Sequence, residues 1–499
     1  SFFPDADTRQ FVVDWTLPDG VPIHASDATG QQIEAIVRRL STKTYDESGQ
    51  LVDYVGDSET PERLNTMGVY VGTGGPRFYM GLNPKSGGPN YGIICVNAMA
   101  PSVVPDYVED IRRAVNEGIG TKGEEGYLPP IAGARVVTKR LVMGTPVDSP
   151  VQIRVMGPRL ASERVLSTIS APIKRAVKDC GIAWDVHDSW GEPLNQLTVQ
   201  VQPDAANMAG VTNAAVADTL NSYYSGLYLT SYREGDKQIP IMLRLPARER
   251  RSIAELEQSY VEGYTGKVPL DAVAELDWVY RPARIERYQR ARTITINAQP
   301  YSGYYASEVI QHPKVQEALA AAEASMPPGY RLEMGGIDEE ANKSAAQAAT
   351  SMMITAILIV LLLIIQYNSI SKPLMILLTV PLAIVSGTLG LAIMNLPMGF
   401  METLGYIALL GIVLSAAILL VEFASRQVAD KLEAGEDLAP AGERSYSGLT
   451  RDAFRDTVAK AAGMRLMPIM MTTLTTVGGL FPLMIGSNPL FKGLSTVVV

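Results

Sequence analysis

The sequence predicts an α+β domain built of split-βαβ (ferredoxin-like) units, followed by an α-helical transmembrane bundle. Three observations predict it. Residues 344–499 hold nine Lys/Arg and nine Asp/Glu, so the whole net charge of −9 falls in residues 1–343. Within the last third the charges crowd together and leave uncharged stretches at 344–371, 373–401, 403–421 and 466–491. Each is long enough, at about 1.5 Å per residue, to cross a hydrocarbon layer of about 30 Å. The first 343 residues instead alternate strand and helix patterns. A mean hydropathy of +0.08 is therefore the average of two unlike parts. With 47% hydrophobic residues the 499-residue chain is not disordered, and two cysteines cannot staple it. The acidic balance argues against a nucleic-acid surface.

The outer part opens with a strand at Gln10–Leu17, followed by a helix with Ile33, Ile36, Val37 and Leu40 on one face. A hairpin-like pair is expected near Phe78–Leu82 and Tyr91–Asn97, then a helix carrying Val108, Ile111 and Val115, then a strand at Ala134–Met143. That is one βαββαβ unit. A second begins with the strand Val151–Met156 and a helix with Val165, Leu166, Ile169, Ile173 and Val177. Its closing half comes late, as the strand Arg292–Asn297, a helix around Val315–Ala322 and the strand Tyr330–Met334. The interval, roughly 197–285, has its own strands at Leu197–Val201 and Gln238–Leu245 and is expected to be an inserted subdomain. Two like units side by side would form a cleft.

Four spans follow, centred on Met352–Ile365, Leu374–Met394, Leu404–Val421 and Leu466–Ile485. The loop from Arg426 to Arg465 carries seven Lys/Arg, whereas the turn from Asn395 to Glu402 carries none. The positive-inside rule places that loop and Lys372 in the cytoplasm and residues 1–343 outside. No initiator Met or signal peptide precedes Ser1, and Gly493–Val499 begins a fifth apolar run, so the chain is expected to be a piece of a longer protein.

Chemistry-bearing motifs are sparse. No G-x-x-x-x-G-K-[ST] loop occurs, and Gly72-Thr-Gly74-Gly75 lacks the strand-to-helix context of a dinucleotide fingerprint, so it reads as a flexible glycine loop. His24, His187, His312, Cys95 and Cys180 have no metal-ligand spacing; no metal, no cofactor and no enzymatic activity are expected. Eleven of the 20 methionines lie at or beyond Met352, where apolar packing explains them better than soft-metal binding. The span interiors hold no ionisable group; Glu422 ends the third span and Arg465 begins the fourth.

Several stretches carry a resemblance. Gly411-Ile-Val-Leu-Ser-Ala-Ala-Ile-Leu-Leu-Val-Glu-Phe-Ala424, Met464-Arg-Leu-Met-Pro-Ile-Met-Met-Thr-Thr473 and Gly493-Leu-Ser-Thr-Val-Val498 resemble the tenth, eleventh and twelfth spans of resistance-nodulation-division (RND) transporters, in the acriflavine-resistance, hydrophobe/amphiphile efflux branch. Phe2-Phe-Pro-Asp5, Tyr232-Arg-Glu-Gly-Asp-Lys-Gln-Ile-Pro240 and Arg284-Ile-Glu-Arg-Tyr288 resemble the periplasmic segment after the seventh span. The resemblance covers essentially the whole chain and implies the C-terminal half of a twelve-span subunit. Residues 1–145 would be a first porter subdomain, 146–196 with 286–343 a second and its connection to the membrane, 197–285 an inserted docking subdomain, and 344–499 the transmembrane domain. It further implies a bacterial inner-membrane homotrimer, surrounded by lipid, that exports amphiphilic or hydrophobic compounds by proton antiport. A periplasmic adaptor (membrane fusion protein) and an outer-membrane channel would be its partners.

Site residues transfer unevenly. Such pumps commonly carry a Lys in the tenth span, seven residues before the Glu matching Glu422, to pair with an Asp couple in the fourth span; this sequence has Ser415 there. The family's Arg and Thr of the eleventh span match Arg465 and Thr472. A serine can hydrogen-bond a carboxylate but cannot be its counter-ion, so Arg465 is expected to substitute or the coupling to differ. Tyr70, Phe78 and Tyr79 flank the loop of Gly72, Gly74 and Gly75, where drug pumps have an aromatic pocket and a mobile loop, and aromatic faces suit apolar or cationic ligands. Two other readings stand beside the drug pump: a protein-translocating or sensory relative, motivated by Ser415, and a heavy-metal exporter of the same superfamily.

Overall fold

The computed structural model describes residues 8–499 apart from 47, 57–59, 121, 124–125, 142–146, 247–255, 257, 265, 395, 397, 436–447 and 487–488. The motif Phe2–Asp5 and the expected boundary at 145/146 lie outside the described residues. The chain divides into two compact units, residues 190–285 and the remainder.

The first sheet joins β1 (Gln10–Thr16), β2 (Leu64–Val71), β3 (Tyr91–Ala98) and β4 (Arg135–Arg140) in the order β2-β3-β1-β4, every pair antiparallel. Helices α1 (Ile23–Arg39) and α2 (Val104–Glu117) cover one face. Side chains alternate along a strand, so Phe11, Val13 and Trp15 point into a core with Ile33, Ile36, Val37, Tyr107 and Ile111. Trp15 Nε1 donates to Ser26 Oγ at 3.0 Å, and its ring fills the space that Gly30 and Gly92 leave open. Val12 and Asp14 point the other way, yet both are buried.

The expected strand at Phe78–Leu82 is absent; the partner of β3 is Leu64–Val71. The reason is chemical. Residues 72–90 carry Pro76, Pro84 and Pro89, which have no N–H for a ladder, and Gly72 and Gly75 turn the chain at φ +76° and +70°. Gly74 also packs so tightly on the segment at Lys85 that a Cβ there would meet the Lys85 carbonyl.

The second sheet begins with β5 (Val151–Met156), α3 (Glu163–Asp179) and β6 (Ala183–Asp188). Residues 190–285 intervene. They pair β7 (Pro193–Val201) antiparallel with a later strand (Ala274–Pro282), and carry the helix α4 (Asn213–Tyr224). They also carry a hairpin of β8 (Leu227–Glu234) and β9 (Lys237–Leu243), and have their own core of Val211, Val216, Val261, Leu270 and Val273. With that later strand as β10, the second sheet closes with β11 (Ala291–Pro300), the helix α5 (Pro313–Ser325) and β12 (Arg331–Gly336). Its order is β6-β11-β5-β12, again all antiparallel. Both sheets therefore run 2-3-1-4 when strands are counted within each.

Strand β12 continues without a linker into α6 (Ile337–Tyr367). Gly336 makes the junction at φ +72°, where a side chain would strike the Pro150 carbonyl. Then come α7 (Ser371–Leu377) and α8 (Val380–Ile393), which form one span interrupted before Pro381. They are followed by α9 (Phe400–Glu433), α10 (Arg451–Ile485) and α11 (Pro489–Val498). Among the described residues four of these helical stretches are long and apolar enough to cross a membrane. Their apolar windows are mostly unburied, entirely so in α10, which is what a lipid-facing surface requires. Where they do pack, small residues permit it: Gly387 and Gly390 of α8 and Gly405 of α9 lie against the backbone or side chains of 494–497.

Candidate functional site

Among the described residues, two of the places where polar side chains gather among apolar ones bear on function. The first is a cleft on the face of the first sheet opposite its helices. Val12, Asp14, Tyr91, Ile93 and Lys139 come from the sheet; residues 81–85, 147–148 and Pro150 supply walls, and Ile337 and Glu340 at the start of α6 close one end. Its volume is about 100 Å³. Asp14 lies at its floor. Lys139 Nζ donates to Asp14 Oδ2 at 3.0 Å, and Lys85 Nζ stands 3.7 Å from the same oxygen and 5.4 Å from the centre of the Tyr91 ring. Burial pushes the Asp14 pKa up, but Lys139, Lys85 and Arg135 together hold it below the usual carboxylate value. For Lys85, burial lowers the pKa and Asp14 opposes that.

Arg135 itself is engaged with the second sheet. Its Nε and Nη2 donate to the two carboxylate oxygens of Asp185 at 2.6 and 2.7 Å, a bidentate pair. His187 Nδ1 lies 2.8 Å from the Asp185 carbonyl. Arg112 of α2 adds a second link, standing 5.5 and 5.0 Å from the centres of the Trp184 and Tyr301 rings.

Of the residues singled out in sequence, Tyr70 lies on β2, its ring against Gly68 and Gly75. Phe78 and Tyr79 lie in the coil before the cleft-lining residues 81–85, both half-buried. Among the described residues no ring-to-ring contact joins these three, and they do not line the cleft; Gly81–Lys85, the continuation of the same segment, does. The motifs and spacings of the sequence do not point to Asp14, Lys85 or Lys139. One signal was available for Asp14: a carboxylate inside the apolar run Phe11–Trp15, on the opposite phase from Phe11, Val13 and Trp15. Cys95 and Cys180 are free thiols, and burial pushes the first up to about 11.

The second place is where α9 meets α10. The Arg465 guanidinium stacks 4.3 Å from the centre of the Phe423 ring, and its buried Nε has no hydrogen-bond partner. Glu422 does not pair with it; Arg426, one turn on, donates to Glu422 at 3.0 Å. Thr472 is two turns into the span from Arg465, about 10 Å, and Ser415 a similar depth from Phe423, about 12 Å along α9. Both are exposed, and the Thr472 hydroxyl donates to the Ile469 carbonyl at 2.9 Å.

A family model described as the AcrB/AcrD/AcrF family matches residues 131–489, a single stretch that covers the second sheet and all four apolar spans. The chain belongs to this family of resistance-nodulation-division transporters. Among curated relatives, the toluene efflux pump membrane transporter TtgB of Pseudomonas putida is 26% identical over 60% of this chain and 26% of its own length. The multidrug export protein AcrF of Escherichia coli is likewise 26% identical over the same shares. The cobalt-zinc-cadmium resistance protein CzcA of Cupriavidus metallidurans is 25% identical over 71% of this chain and 32% of its own length. The matched chain thus spans about a quarter to a third of the curated relatives. A crystal structure of a heavy metal efflux pump superposes with a TM-score of 0.67 at 20% identity, covering 100% of this chain and 46% of that one, a likeness of fold. The relatives are transporters, not enzymes.

Proposed function

We propose that the protein is a bacterial inner-membrane secondary active transporter that exports amphiphilic or hydrophobic compounds by proton antiport. One observation carries the reading: a continuous family match joins the second sheet to the four apolar helices. In this reading residues 1–343 are periplasmic. The two sheets of order 2-3-1-4 support two split-βαβ porter subdomains, at 1–145 and at 146–196 with 286–343, and residues 197–285 are the docking subdomain. A homotrimer would work with a periplasmic adaptor and an outer-membrane channel. Tyr70, Phe78 and Tyr79 would meet substrate, with Gly72, Gly74 and Gly75 forming the moving loop. Arg465, with Ser415 and Thr472 at one depth, would serve coupling, because Arg465 has a buried donor without a partner at the edge of the spans.

The test is drug accumulation in cells expressing the full-length gene. The reading requires lower accumulation than in cells without it, and loss of that difference when the proton gradient is collapsed. Unchanged accumulation would favour a non-exporting relative. Arg465→Ala is expected to abolish export while leaving trimer assembly intact; normal export in that variant would reduce Arg465 to a flanking charge. The likeness to CzcA favours a second reading, metal export; it predicts resistance to zinc, cobalt or cadmium in the same cells, without any effect on drugs.

A further inference from the structure

We propose that the cleft on the first sheet takes the anionic head of an amphiphile, such as a carboxylate or sulfonate, on Lys85. This rests on the export reading and names a substrate class for its cleft. Among the described residues Asp14 is the one carboxylate at the floor, and it is shared by two ammonium groups. Lys139 has taken the hydrogen bond. Among the described residues Lys85 Nζ makes no hydrogen bond: its closest carboxylate oxygen is 3.7 Å away, and Tyr91 offers it only a ring face. An ammonium has three donors and no acceptor, so its donors are left for whatever enters the cleft.

The other charges nearby do not cancel it. Arg135 and Asp185 neutralise one another in their bidentate pair. Glu340 stands 3.5 Å from Lys343 on its own helix, and Asp148 is exposed to solvent. Arg140 and Asp148, which also line the cleft, offset one another in this count. One positive charge is thus left over in a partly buried place, where an incoming anion gains more than it would in water. The remaining wall is apolar: Val12, Leu82, Ile93, Leu141 and Ile337 line the same cleft. About 100 Å³ holds a headgroup of several heavy atoms, given that one water needs roughly 10–15 Å³. A neutral ligand would leave Lys85 desolvated with only its 3.7 Å share of Asp14; a cationic one would add to the excess charge.

The experiment uses the full-length gene product in nanodiscs of zwitterionic lipid. Two probes are compared, 11-(dansylamino)undecanoic acid and its methyl ester, read by energy transfer from tryptophan to dansyl. The acid is expected to bind at least about tenfold tighter than the ester, the size of one charge-assisted hydrogen bond. Lys85→Met should bring the two probes to within about twofold of each other by weakening the acid alone, and Lys85→Arg should keep the preference. Ester binding reports that each variant is folded. Equal binding of acid and ester to the wild type overturns the proposal, as does an acid preference that survives in Lys85→Met or is lost equally in Lys85→Arg. Efflux of a neutral dye is scored separately. Loss of all efflux with the acid preference intact would sink the export reading alone, and the reverse pattern would sink the site alone.

Discussion

The first strand of each sheet carries one charge on the face turned away from its helices, and the two charges are opposite. In the first sheet Asp14 sits between two lysines, at 3.0 and 3.7 Å. In the second, Arg154 sits between two glutamates, with Glu339 at 2.6 Å and Glu333 at 3.7 Å. The surroundings differ in what they leave free. Arg154 stacks 4.2 Å from the centre of the Tyr288 ring, Tyr288 donates its hydroxyl to Glu339 at 3.2 Å, and Lys343 donates to the same carboxylate at 2.5 Å. Every strong group there is occupied, and Glu339 belongs to α6, so the cluster ties the first membrane helix to the second sheet. Around Asp14 one ammonium stays unbonded and faces a cleft. The same position in two like sheets has thus become a joint in one and an open polar pocket in the other.

The sharpest way to break this contrast is Arg154→Met. A half-buried carboxylate would lose its main partner, a loss that reaches about 3–5 kcal/mol where the pair is fully buried. Lys343 and Tyr288 remain on Glu339, so the lower end, about 3 kcal/mol, is expected as a fall in the thermal midpoint of the solubilised protein. Glu339→Gln in the same background should add little, because the pair is already broken. Additive losses would show that the two side chains do not act together.

Much of the architecture could be read along the chain. The spans were legible because uncharged, mostly apolar stretches of 19 or more residues have few other solutions, and β1, α1, β5 and α3 because their periods are clean. Strand β2 was not. Leu64–Val71 mixes Asn65, Thr66 and Gly68 into an edge strand, while Phe78–Leu82, which looks more strand-like, is held in coil by the prolines and glycines around it. The clusters were less legible still. Asp14 could be noticed as a charge in an apolar run, but Lys139 lies 125 residues away and becomes its partner only by antiparallel pairing of β1 with β4. The Arg154 joint needs β12 to run straight into α6, which depends on Gly336 adopting a left-handed φ.

Asp14→Asn should cost less than Arg154→Met, roughly 1–2 kcal/mol, because both lysines are partly exposed and can turn to water. Its pH signature is more telling than its size. The folded carboxyl titrates below the ordinary value of about 3.9, since the three cations outweigh burial. The unfolded chain therefore binds the proton first as the pH falls. The stabilisation is complete above about pH 4 and is lost as acid carries the solution down through the folded pKa. Asp14→Asn should flatten that acid limb; an unchanged limb would mean that the lysines do not hold the carboxylate.

The smallest effect is expected at the contact between the sheets, where a third charged pair, Arg135 and Asp185, has His187 beside it. Burial lowers the His187 pKa, and Arg135 lowers it further against the pull of Asp185. A depressed pKa means that the unfolded histidine takes up its proton first, so this contribution is present above about pH 6.5 and fades as the pH falls toward the folded value. His187→Gln keeps a donor for the Asp185 carbonyl but cannot titrate. The wild type should lose up to about 1 kcal/mol of stability between pH 7 and 5 that the variant does not, seen as a shallower drop in thermal midpoint. Parallel curves would place the histidine in a solvent-like setting and leave the contact between the sheets to the Arg135–Asp185 pair and to Arg112 on the Trp184 and Tyr301 rings. A difference confined to that range, with the Asp14 limb untouched, would show that the cleft and the contact between the sheets titrate independently.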